Sequence, residues 1–247
     1  MRKIISFARR TWLIRTGQIF LASVLALVVT PRLGRGADID YFTGTDFVGK
    51  NRTGIFKTFY INYWKPHRRI DASKWSLEVT GLCQRPGRFS LEELLEIPDR
   101  DQESRLKCVE CWSARARWSG FSFAEIERRV QPMEDAIGVT FHCADEYVEH
   151  LSLETLRHPR TMMVTHMNGV PLTDEHGFPL RVIAPMKYGY KNPKAILKIE
   201  FVSQEVWGTW SKIGPYSTDG TILPGTDHPL EYDKQPHRIA GGEITEY

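Results

Sequence analysis

The stretch that most constrains this chain is Leu106–Gly120, LKCVECWSARARWSG. Leu106, Cys108 and Val109 follow a short apolar strand pattern, and an acid, two tryptophans and two arginines come next. A thiolate at the end of such a strand is a soft ligand for a transition metal or a nucleophile, whereas many cysteines are simply small buried hydrophobes. Cys108 and Cys111 also spell C-x-x-C, which suits half of a zinc site or a thioredoxin-type dithiol. A zinc site would want a second pair, and Cys83 and Cys143 stand alone. A dithiol would want a helix opening at its first cysteine, and Trp112–Trp118 has no helical face before Gly120. A dithiol oxidoreductase stays as the weaker alternative, and Cys111 is read as a second thiol beside the site.

Downstream, the pattern alternates short strands with short helices. Trp75–Gly81 alternates apolar and polar residues as a strand does, and Pro86-Gly87 marks a turn. Ser90–Glu93 and Ser122–Glu125 each read as a capping box opening a helix, the second running to about Val130. Ile137–Cys143 is a further strand, Ser152 caps another short helix, and Asn168-Gly169 predicts a hairpin turn. Ala195–Val202 closes the series with Leu197, Ile199 and Phe201 on one face. Helices bracketing the Cys108 strand predict a mixed α+β layer arrangement and exclude a doubly wound parallel sheet.

Three further segments complete the pattern: Phe59–Trp64 (FYINYW), Asp145–Glu154 (DEYVEHLSLE), and Glu175–Arg181 (EHGFPLR) followed by Pro185–Lys191 (PMKYGYK). Together with CVECWS they resemble the molybdopterin-dependent sulfite oxidase superfamily from about Phe59 to Val202, most closely its single-domain exported branch of methionine-sulfoxide reductases. The resemblance implies a molybdenum–molybdopterin cofactor in a sulfite-oxidase-type fold, with Cys108 as the one protein ligand to the metal. It places Tyr60, the Ile61 backbone, Cys143, His176, Arg181, Asn192, Pro193 and Lys194 at the cofactor. Glu110 becomes a proton acceptor or substrate contact, and Arg115 and Arg117 become candidates for holding a substrate oxyanion.

Departures from that pattern are visible. Lys57 stands where the reductase branch has asparagine, Asn62 where sulfite oxidases have arginine, and Cys143 where the branch has threonine. His176 matches sulfite-oxidase-like members, and neither Arg115 nor Arg117 has a counterpart in the methionine-sulfoxide branch. Independently of the resemblance, Arg181, Lys187, Lys191 and Lys194 gather around glycine turns, a composition suited to receiving an anion; the resemblance implies that this anion is the cofactor phosphate.

Residues 1–36 read as a twin-arginine-type signal segment. They hold seven basic residues and no acids, with Arg9-Arg10 ahead of an apolar run from Ile19 to Val29 that is too short to span a membrane. Gly34-Arg35-Gly36 offers small residues at a cleavage site before Ala37. Without this segment the formal charge of +3 becomes 26 basic against 30 acidic residues, which excludes a nucleic-acid binder. The expected layout is a molybdopterin-binding domain over 37–205 and a tail over 206–247 packed on it, with no dimerisation domain or C-x-x-C-H haem motif. The expected protein is a periplasmic or otherwise exported monomer, membrane-tethered if the signal stays on. It would transfer oxygen at sulfur, taking a small sulfur-containing or oxyanion substrate and a separate haem protein or membrane subunit as electron partner. The alternative is a molybdopterin-bearing electron-transfer or interaction subunit without turnover.

Overall fold

The computed structural model describes residues 64–66, 69–109, 113–214, 216–222, 226–227 and 237–238. Residues 1–36, expected to be a signal segment, the lead-in with Tyr60 and Ile61, and Glu110, Cys111 and Trp112 lie outside the described residues.

Among the described residues the fold comprises two five-stranded sheets, a two-stranded ribbon and four one- to two-turn helices. In chain order they are β1 Ser76–Gly81, β2 Gly87–Ser90, α1 Leu91–Leu95, β3 Arg100–Lys107, β4 Ser113–Phe121, α2 Ala124–Val130, β5 Gly138–Cys143, β6 Val148–Ser152 and α3 Leu153–Arg157. There follow β7 Met162–Met167, β8 Val170–Pro171, β9 Arg181–Ile183, a 3-10 turn Gly189–Lys191, β10 Ile196–Val202, α4 Thr209–Ile213, β11 Thr226–Asp227 and β12 His237–Arg238. The first sheet has the order β2-β1-β10-β5-β6 and the second β3-β4-β7-β8, with β9 also paired to β7. Both parallel and antiparallel pairs occur: β1 runs parallel to β10, and β10 antiparallel to β5. The fold is α+β with mixed sheets, as the strand and helix pattern predicts.

The helix starts show where local chemistry decides. Ser90 and Glu93 form the full capping box at α1, and Ser152 Oγ accepts from Thr155 N–H at α3. The expected box at Ser122 does not form. Phe123 is the cap residue of α2 and no side chain caps it, because the helix begins one residue later than the box needs and Ser122 Oγ receives the Ala124 N–H instead. Asn168 and Gly169, both at positive φ, make the predicted turn between β7 and β8.

The second sheet is buried on both faces where it matters. Phe121, Met163 and Val182 point into the main core with Leu77, Val79, Phe141, Ile199 and Phe201. On the opposite face Leu106, Ala116, Trp118, Met162, Val164 and Ile183 form a second cluster. Between them the backbones of β4 and β7 approach closely. A Cβ on Gly120 would stand 2.0 Å from the Met163 carbonyl oxygen, so only glycine fits where the register shifts.

Candidate active site and anion cradle

The second cluster carries the site. Alternation along β3 puts Leu106 on the Trp118 face, and Cys108, one residue past the strand end, continues it and packs half-buried against the same cluster. Cys108 also touches a third, smaller cluster of Val109, Tyr188 and Ile222. At the other side of the Trp118 face stands Arg181, first residue of β9. Its guanidinium lies 5.2 Å above the Trp118 ring centroid. One nitrogen, Nη1, donates to the His176 carbonyl at 2.9 Å. Its Nε is buried and has no hydrogen-bond partner among the described residues. With the side chain 4% exposed, an unsatisfied donor there is costly unless an acceptor arrives from outside the chain.

His176 and Lys194 complete a cluster of basic side chains around Arg181. Arg181 and Lys194 form a backbone bridge, and Lys194 Nζ donates to the Glu175 carbonyl at 2.8 Å. The Gly177 turn makes the approach possible: at φ +99° a Cβ there would lie 2.4 Å from Lys194 Cβ. Burial first, and then repulsion within the cluster, pulls Lys194 down to about 8 and His176 to about 4; burial alone pulls Arg181 to about 10. Three groups held below their ordinary values, with an orphaned guanidinium nitrogen between them, form a site whose energy an anion would relieve. These residues fit the terminal phosphate of a pterin cofactor.

The other sequence candidates divide. Pro193 is buried and its carbonyl receives the Val182 N–H at 2.9 Å, fixing the cradle's floor. Asn192 does not offer its side chain to a ligand. Its Oδ1 accepts from Ala184 N–H at 2.6 Å, and its Nδ2 donates to the Lys187 and Tyr188 carbonyls. It shapes the turn from within. Cys143 lies in the main core behind Lys194, whose backbone N–H it receives; burial, then the Asp145 charge, pushes its thiol well up.

Two groups of basic side chains stand apart from this cradle. Arg115 and Arg117 alternate with Ala116 and Trp118, so they project from the face opposite Cys108 and Arg181. Arg115 is paired across the strands with Arg105, and Arg117 forms an ion pair with Asp101. Nor do Lys187 and Lys191 join the anion cradle. Lys187 Nζ meets Asp219 at 2.5 Å and Thr221 at 2.8 Å, while Lys191 is consumed by Glu149, the His150 carbonyl and the Thr218 carbonyl, each at 2.6 Å. Sequence reasoning also missed Trp118 as the platform for Arg181. Its signal was its two-residue spacing from Ala116 on the Leu106 face.

An open cleft of about 830 Å³ lies beside the site, lined by Arg69, Asp71, Leu172, Asp174, Glu175 and Phe178. Its charged lining is mainly acidic, which distinguishes it from the cradle behind Glu175.

Comparison with known proteins places the chain in a family. Residues 64–210 match the oxidoreductase molybdopterin binding domain, and the chain belongs to that family, whose cofactor is molybdopterin. The protein-methionine-sulfoxide reductase catalytic subunit MsrP of Xanthomonas campestris pv. campestris is 34% identical over 214 residues, covering 79% of this chain and 66% of the relative. The putative protein-methionine-sulfoxide reductase subunit YedZ1 of Azospira oryzae is 38% identical over 147 residues, covering 60% of this chain and 56% of the relative. The chain thus spans less than two thirds of the length of these relatives. Among solved structures, the sulfane dehydrogenase SoxCD of Paracoccus pantotrophus shares the fold, with a TM-score of 0.53 at 15% identity over 58% of this chain and 41% of its own.

Proposed function

We propose that this chain is an exported molybdenum-cofactor oxidoreductase that transfers an oxygen atom at sulfur, with sulfoxide reduction the favoured direction. The observation that carries the reading is the shared face: Cys108 and the guanidinium of Arg181, whose Nε has no partner among the described residues, both rest on the Leu106–Trp118 cluster. The likeness to MsrP supports the substrate class. When bound, the molybdenum cofactor supplies two-electron oxygen-atom transfer. Cys108 would hold the metal through its thiolate, and Arg181, Lys194 and His176 would hold the phosphate end. Arg181 is the strong point of that grip, because its fork gives paired, charge-assisted hydrogen bonds. Tyr60 and Ile61 would contact the pterin, and Glu110 would take up or release a proton at the substrate; all three positions lie outside the described residues.

Residues 1–36 would direct export by the twin-arginine route, 37–205 would form the cofactor domain and 206–247 the tail. Among the described residues no helix is long and apolar enough to cross a membrane. Electrons would come from a separate haem protein or membrane subunit, and the enzyme would act as a monomer. The test is metal analysis and sulfoxide turnover of folded protein from an expression host that makes molybdopterin. Folded protein that binds neither molybdenum nor pterin in that host would refute the reading.

A further inference from the structure

Five aromatic rings form a row of neighbouring contacts, and its first three pack in or against the small cluster that Cys108 touches. Tyr188, buried, belongs to the small cluster that Cys108 touches. Its ring stacks on Tyr190 with centroids 6.5 Å apart and planes at 7°. Tyr190 meets Tyr216 at 5.3 Å, Tyr216 meets Trp210 at 5.4 Å, and Trp210 meets Trp64 at 5.6 Å. Burial falls along the row, from buried Tyr188 to four half-buried rings. The inner end is tied to the thiol's own strand: Lys107 bridges to Tyr188, and a Cβ on Gly189 would lie 3.9 Å from Cys108 Cα.

We propose that this row is the path by which single electrons travel from a one-electron donor protein, seated over Trp210 and Trp64, to the site beside Cys108. The inference rests on the function proposed above. Reducing a sulfoxide to a sulfide takes two electrons and two protons and releases water. A one-electron donor supplies the electrons in two visits, each donor molecule being oxidised by one. Electron tunnelling decays steeply with distance and more steeply across gaps than through packed atoms, and rings at these separations are in van der Waals contact. The rings serve as a bridge and are not themselves oxidised. Tyr190 Oη donates to the Ser217 carbonyl at 2.7 Å, and a carbonyl is too weak a base to take the proton that phenol oxidation releases. Burial also holds the Tyr190 phenol above its ordinary range. At the outer end Trp207, 57% exposed, offers a partner a large apolar anchor close in sequence to Trp210.

The experiment flashes the holoprotein with a ruthenium photoreductant coupled to dextran, whose bulk keeps it out of the substrate opening. Metal reduction is followed by absorbance and by EPR. Wild type and Tyr216→Phe should reduce at the same rate. Tyr216→Leu and Trp210→Leu should slow by about an order of magnitude, while turnover driven by dithionite, small enough to reach the site directly, stays unchanged. Near-UV circular dichroism and metal content report folding, and Tyr216→Met, which fills the volume without a ring, carries the test where leucine is not tolerated. Ring-free variants that keep full metal content and the wild-type reduction rate would overturn the path and leave the function standing. A wild-type protein without molybdenum would overturn both.

Discussion

Lys191 Nζ lies 2.6 Å from Glu149 Oε1, with the two side chains 2% and 0% exposed. The pair joins two sequence motifs, YGYK and DEYVEHLSLE, that stand 42 residues apart. Tyr147 Oη reinforces it, donating to the Tyr190 carbonyl at 2.6 Å and standing 2.9 Å from Glu149 Oε2. With three acceptors around one ammonium group, every Lys191 proton is placed. Its role is to fix the turn that leads into Asn192, Pro193 and Lys194.

Removing one partner should therefore be severe. Lys191→Met leaves a buried carboxylate uncompensated and is expected to cost about 3–5 kcal/mol, read as a lower urea midpoint. Replacing both, Lys191→Met with Glu149→Leu, should recover most of that loss. A double variant no better than the single one would contradict the account.

Cys108→Ser should keep the fold and lose molybdenum-dependent turnover, because a hydroxyl does not reproduce thiolate donation. Metal content and oxygen-transfer activity of the folded variant decide it. Wild-type activity with serine would remove Cys108 from the ligand position.

Arg181→Ala should release the cofactor and Arg181→Lys should release less of it, since lysine keeps the charge and loses the fork. Each charge-assisted bond lost is worth about 1.5–3 kcal/mol. Pterin occupancy after long dialysis, beside activity per bound molybdenum, separates a phosphate contact from a substrate contact. Full occupancy with collapsed activity per metal would place Arg181 in the substrate pocket.

His176, held at about 4 by burial and by the charges of Arg181 and Lys194, makes the cofactor-free protein sensitive to acid. Between that value and 6.5 the unfolded chain binds a proton that the folded one refuses, so this group's contribution to stability falls as pH drops through the window. Several carboxylates titrate nearby, so the quantity to measure is the difference between wild type and His176→Gln. The urea midpoint should fall more steeply for wild type from pH 6.5 to 4. Parallel curves would show that His176 is protonated in the fold.

Changing Arg9 and Arg10 to lysine should leave folded holoprotein in the cytoplasm, which cell fractionation would reveal. Unaffected export would mean that the segment is read by another route.

How much of this was legible in the sequence depended on the range of the interaction. Ser90, Ser152 and Asn168-Gly169 act on neighbours within a few residues, so local chemistry predicts the elements they begin or turn. Period-two alternation already contained the fact that Arg115 and Arg117 cannot share a face with Trp118; reading those arginines as substrate contacts set the pattern aside. Lys187 and Lys191 were not separable from Lys194 by sequence. Their hydrogen-bond acceptors come from residues 149, 218, 219 and 221, and only the folded chain brings these oxygens in. Trp118 under Arg181 is likewise a contact between strands that are not adjacent in the chain.

Those late-arriving oxygens bear on how the protein is made. Thr218, Asp219 and Thr221 follow both sheets in the chain, yet they complete the hydrogen bonding of two lysines synthesised some thirty residues earlier. A nascent chain that has emerged only as far as Val202 contains every strand residue of the two five-stranded sheets and still lacks the later acceptors of Lys187 and Lys191. The turn before Lys194 is therefore settled only once residues 218–221 have emerged, and cofactor loading is expected after that point rather than before it.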